Sequence, residues 1–232
     1  MYHPPLVSRL INVILALAAA LVDPFPTTFS PELGAAASYV MTRRYEDSED
    51  KTVTEWRDRV RVMVRQKDSS GAVVLEVAGQ PLEVPDGETR DQWKYTVTLG
   101  KQAEFRDRSE DSEDQLLAIR YAMAGLIIRP SQVVKVGESW MAGQAPDVLN
   151  GAKWNYKYTF EKEEVLLDKS ALMRVGLRFN EQVARGFRGQ GWARVRRDNQ
   201  MTHDGQWEFE RTYLPSDELQ VPQRLTLTLA SK

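Results

Sequence analysis

Between residues 153 and 160 the chain alternates without a break, with Trp154, Tyr156, Tyr158 and Phe160 on one parity and Lys153, Asn155, Lys157 and Thr159 on the other. Successive side chains of a strand point to opposite faces, so this is the pattern of a strand with one dry side and one wet side. The same alternation recurs along the chain. Trp56, Val60, Val62 and Val64 oppose Arg57, Arg59, Arg61 and Arg65, with Asp58 interrupting the apolar parity, and Trp93, Tyr95, Val97 and Leu99 oppose Lys94, Thr96 and Thr98. Val73, Val74, Leu75 and Val77 form another run. Further on, Ala171, Met173, Val175, Leu177 and Phe179 share a parity, followed by Ala193 and Val195, then Trp207, Phe209 and Tyr213, and finally Leu225, Leu227 and Leu229. One such run is ambiguous; this many argue for β structure.

The connections set the handedness of pairing. Ser69-Ser70-Gly71, Asn150-Gly151 and Asp204-Gly205 read as tight turns, which join antiparallel neighbours, whereas parallel strands need a crossover of a dozen or more residues. Helical spacing appears once: Ser112-Glu113-Asp114-Gln115 has capping-box form, Leu116, Ile119, Arg120 and Met123 follow, and Gly125 stands where a left-handed stop is wanted. The expected fold class is therefore mainly β, an antiparallel curved sheet or half-barrel built from two β-meanders, 38–111 and 133–232, joined by one α-helix over 113–124. Periodicity leaves open whether the meanders form one sheet or two packed β domains; a single domain over 38–232 is the preferred reading.

The N-terminus reads as a signal peptide over 1–22. Arg9 supplies the charge, Leu10 to Val22 form an apolar run broken by Asn12, and Ala18-Ala19-Ala20 offers small residues for cleavage. Residues 23–37, rich in Pro, Thr, Ser and Ala without a period, read as a leader or linker. The run before Asp23 is short of the roughly 20 residues of a spanning helix, so the expectation is an exported, periplasmic or extracellular protein with no permanent transmembrane span in the mature chain; an uncleaved N-terminal anchor is the minor alternative. The absence of cysteine excludes disulfides and thiolate chemistry. With 31 basic against 33 acidic side chains, no whole-molecule field recruits nucleic acid.

No catalytic constellation is recognisable, and no metal or cofactor is expected. The pentapeptide Glu-Asp-Ser-Glu-Asp occurs at 46–50 and again at 110–114, but without the spacing of a calcium loop, so a hairpin loop and a helix start are the plainer readings. His203-Asp204-Gly205 looks like a hairpin tip rather than part of a catalytic group. The arginines at 57, 59, 61, 65, 185, 188, 194, 196 and 197 fall on wet parities, where they suit either an anionic partner or cross-strand acids. Trp154, Tyr156, Tyr158 and Phe160 are the ligand-lining candidates, with core packing as the stronger use of four such rings.

Pro130 followed by Val134-Lys135-Val136-Gly137-Glu138-Ser139-Trp140 resembles a recurrent segment of uncharacterised exported bacterial β-rich proteins. The order downstream is similar too: Tyr156-Lys157-Tyr158, then Ala171-Leu172-Met173, then Gly189 and Gly191 before an arginine-rich strand. In overall plan the chain resembles the LolA-like periplasmic carriers, half-barrels that shelter lipid or lipoprotein acyl chains. That resemblance implies an envelope or periplasmic protein binding an apolar or amphipathic ligand, such as a lipid, on a concave sheet. The alternative is a non-catalytic interaction module that docks on an envelope protein partner.

Overall fold

The structure is a computed structural model that describes residues 23–84, 90–109, 119–120, 122–123, 125–142, 145–146, 151–182, 186–212 and 223–231. The strands are β1 (Ala36–Asp47), β2 (Val53–Lys67), β3 (Val73–Glu83), β4 (Trp93–Leu99), β5 (Phe105–Ser109), β6 (Ser139–Met141), β7 (Ala145–Pro146), β8 (Lys153–Val165), β9 (Ala171–Glu181), β10 (Arg188–Arg196), β11 (Thr202–Thr212) and β12 (Gln223–Ser231). They form one sheet in the order β5-β4-β3-β2-β1-β12-β11-β10-β9-β8-β6, with β7 also on β8. Each pairing is antiparallel.

The two expected meanders are thus present and joined edge to edge. β1 lies between β2 and β12, in register from Tyr39 opposite Ser231 to Asp47 opposite Gln223. Thr42 and Thr228, both β-branched, face each other in this seam. The path remains open at β5 and β6.

One face of the sheet carries the core. On β2, Trp56, Asp58, Val60 and Val64 are buried while Arg57, Arg59 and Arg61 on the other parity are not. On β8 the same split separates Trp154, Tyr156, Tyr158 and Phe160 from Lys153 and Lys157. The wet parity is laced with ion pairs: Arg65 with Glu76, Arg57 with Glu83, Arg174 with Glu161, Arg188 with Glu210 and Arg194 with Asp204 join neighbouring strands, and Arg194 also reaches across β9 to Glu164 on β8.

Several sequence expectations are refined. The helix expected over 113–124 falls largely outside the described residues, of which only 119, 120, 122 and 123 belong to that span; no helix stands among the described elements. The signal segment 1–22 and the second acidic pentapeptide also lie outside them. The first pentapeptide is the β1–β2 turn, where Asp47 Oδ1 accepts from the backbone N–H of Glu49 at 2.6 Å. Asp204 and Gly205 do not form a turn. They lie inside β11, with Gly205 opposite Ala193 and Leu229, and the chain reverses at 197–200 with Gln200 at φ 60°. Glycine is needed at 205 for space: a Cβ there would stand 2.4 Å from the Trp207 ring. The stretch read as a leader is likewise packed on the sheet. Phe25 is 1% exposed, its N–H donates to the Val134 carbonyl at 2.8 Å, and the Phe29 N–H donates to Lys101 O at 2.7 Å.

Candidate ligand cavity

The described residues 119–120, 122–123 and 125–130 lie on the buried face between the two meanders. Ile119, Met123, Ile127 and Ile128 turn into the core, and the non-repetitive backbone of 125–130 placed there needs partners for its polar groups. The aromatic stripe supplies them. Tyr158 Oη donates to Leu126 O at 2.6 Å and accepts from Ile128 N at 3.3 Å, Tyr156 Oη donates to Met123 O at 3.3 Å, and Trp140 Nε1 donates to Ile128 O at 2.9 Å. On the other side, Arg129 N donates to Gln102 O at 2.6 Å in the loop after β4. The segment is therefore fastened to both meanders.

The motif around Trp140 serves this fastening. Gly137 takes φ 87°, and its N–H donates to Phe160 O at 2.7 Å. The Glu138 carboxylate accepts from Lys135 N at 2.8 Å, which closes the turn. Trp140 then stacks on Tyr158 and meets Phe25, each at a centroid distance of 5.1 Å.

The two halves of the covered face are filled differently. Under β8–β11 the space is occupied by Trp154, Tyr156, Tyr158, Phe160, Phe179, Phe187 and Phe209, whose rings stack and tilt at 5.2 to 6.2 Å. Under β2–β4 the inward side chains are mostly valine and leucine, which reach less far. A cavity of about 210 Å³ remains there and continues under β1 and β12, between Val60, Val62, Leu75, Val77 and Leu227 on the sheet and Met123, Leu126 and Ile127 on the crossing segment. Trp93 and Trp207 also border it. Trp93 fits because Gly79, directly opposite, leaves room for its indole; a Cβ there would sit 2.0 Å from the ring.

The four ligand-lining candidates are therefore not in the cavity wall. Trp154, Tyr156, Tyr158 and Phe160 are all 0% exposed and form the solid core beside it, because large rings fill the depth between sheet and cover that valines leave hollow. His203 lies in β11, with Nε2 3.3 Å from Ser231 Oγ, while the neighbouring Asp204 is engaged by Arg194.

Three arginines are buried in this core: Arg120, which falls on the helical spacing of Leu116, Ile119 and Met123 in the sequence, and Arg43 and Arg129, which no strand or helix pattern marks. Arg43 Nη2 is 2.7 Å from Asp58 Oδ2, which also lies 3.7 Å from Arg90. Asp58, the residue that broke the apolar parity of β2, is the counter-charge of this pair. Arg120 Nη2 lies 3.3 Å from Glu181, with its guanidinium 4.6 Å from the Phe187 ring. Arg129, between Ile128 and Pro130, is 3% exposed and also borders the cavity. The sequence signal was a charge embedded in an apolar run, Leu126-Ile127-Ile128-Arg129.

No family model, no curated protein and no solved structure matches the chain. The functional reading therefore rests on the geometry.

Proposed function

We propose that this chain is an exported cell-envelope or periplasmic protein that shelters an apolar or amphipathic ligand between its sheet and the segment crossing it. The apolar cavity under β2–β4 carries the reading. Its 210 Å³ corresponds to about seven water volumes at ~30 Å³ each, enough for a short apolar chain but not for a whole phospholipid. Cavities lined by apolar side chains with a few polar groups are the usual form of a small-molecule site. In this reading the sheet is a half-barrel like those of the LolA-like carriers. The signal-like composition of 1–22 supports export.

Docking on an envelope partner through the arginine faces has less support, because of the arginines on those faces Arg57, Arg65, Arg188, Arg194, Arg196 and Arg197 are paired with carboxylates, while Arg59 and Arg61 are exposed on β2. Native mass spectrometry of protein purified from its own envelope tests the ligand reading. A retained mass that solvent extraction removes is expected. Ligand-free protein that binds no apolar probe would overturn it.

A further inference from the structure

We propose that Arg129 anchors a single anionic headgroup, a carboxylate or phosphate monoester, so that the sheltered ligand is an anionic amphipath; this rests on the cavity reading above.

Charge pairing inside the protein points to it. Among the described residues the buried charged groups are Arg43, Arg120 and Arg129 against Asp58 and Glu181. Asp58 serves Arg43 and Glu181 serves Arg120, which leaves Arg129 with no carboxylate within ion-pair reach among the described residues. Its Nη2 donates to the Gln200 carbonyl at 3.1 Å, but Nε and Nη1 are buried without a hydrogen-bond partner. A buried guanidinium with two unmet donors is costly, and native proteins seldom tolerate one without a use.

The surroundings keep the group charged and aim it at a particular chemistry. The Phe25 and Phe29 rings lie 5.1 and 5.6 Å from the guanidinium, which favours a cation from its flanks but supplies no acceptor to the N–H groups. Burial pulls the Arg129 pKa down to about 10, so the side chain remains protonated at neutral pH. The N–H groups of a guanidinium match the oxygens of a carboxylate or phosphate. The adjoining wall, with Met123, Ile127 and Val60, is apolar, so a free inorganic anion would leave most of the site unused.

The test is a headgroup series at constant tail length on the full chain, read by calorimetry or by the emission of Trp93 and Trp207. Octanoate or octyl phosphate is expected to bind at least about tenfold more tightly than octanol, the usual scale of a charge-assisted contact. Acetate and inorganic phosphate are expected to bind far more weakly than their octyl counterparts. Arg129→Gln should abolish the preference of octanoate over octanol, read as the ratio of the two affinities in the same variant, and Arg129→Lys should keep part of that preference. Equal binding of octanoate, octyl phosphate and octanol by the unaltered protein overturns the anchor and leaves the cavity reading standing. Acetate or phosphate binding as tightly as its octyl form overturns the amphipath. No binding by any octyl compound overturns the proposed function together with the anchor. Should the glutamine variant fail to fold, the headgroup series on the unaltered protein and on the lysine variant still decides.

Discussion

The hydroxyl of Tyr158 holds the carbonyl of Leu126 at 2.6 Å, tying the middle of the second meander to the segment that covers the first. The same oxygen accepts from Ile128, so one phenol satisfies two backbone groups of a segment that has no ladder of its own. Burial raises the pKa of this phenol, which keeps it a neutral donor at any ordinary pH.

Tyr158→Phe removes both bonds and strands the buried Ile128 N–H and the part-buried Leu126 carbonyl. A loss of about 1–3 kcal/mol in urea unfolding is expected, with faster entry of an apolar dye, since the cover is loosened. Unchanged stability would show that the segment is held by packing alone.

Asp58→Asn leaves the Arg43 guanidinium without its counter-charge in a buried site. The expected cost is about 3–5 kcal/mol, measured by chemical denaturation. Adding Arg43→Met should return a large part of that loss, because the stranded charge goes with it; strictly additive losses would mean the pair is not coupled.

Glu76 gives a signed acid dependence. Its carboxylate is bonded by Arg65 at 2.6 Å and Lys94 at 2.7 Å, which pull its pKa down to about 2. A carboxyl whose folded pKa lies below its unfolded value near 4.3 stabilises above that value and loses the contribution as pH falls toward 2. The stability difference between the unaltered protein and Glu76→Gln should therefore shrink between about pH 4.5 and pH 2, and should be smaller in high salt. A difference that stays constant through that window would exclude a charge contribution.

Val62→Phe places a ring at the cavity wall. Because the space is hollow, stability should change by no more than about 1–3 kcal/mol in either direction, while octanol affinity falls by about tenfold or more. Undiminished octanol binding with the fold intact would place the ligand elsewhere.

The strands β2–β4 and β8–β12 were legible from parity, as in Trp56, Val60 and Val64 or Trp154 to Phe160, whereas β1 and β5 were not, because their inward residues make no sustained apolar alternation and the start of β1 lies in the stretch that reads as a leader. Single-sheet architecture was less so: pairing of β1 with β12 joins residues far apart in sequence, and period carries no information about distant partners. Asp204-Gly205 misled because glycine serves two ends, a left-handed turn or clearance for a neighbour, and here Trp207 required the clearance. The polar stretch before β1 hid two anchors, Phe25 and Phe29, too few to show a period. The aromatic stripe packs the core, the stronger of its two sequence readings, because rings that large fill the depth between sheet and cover. Arg129 was passed over because whether an arginine is paired depends on which carboxylates the fold brings near it.

The seam between β1 and β12 bears on how the molecule assembles. Hairpin pairing within each meander requires only the closure of short loops, but the contact between Tyr39 and Ser231 must await nearly the entire described chain. Such distant pairing carries a large loop-closure entropy and slows folding. Until it forms, β1 keeps a bare edge that can be captured by another chain. The final zipping of these two strands is therefore the step at which a partly made molecule is most exposed to aggregation, and the one that a holding chaperone would have most reason to protect.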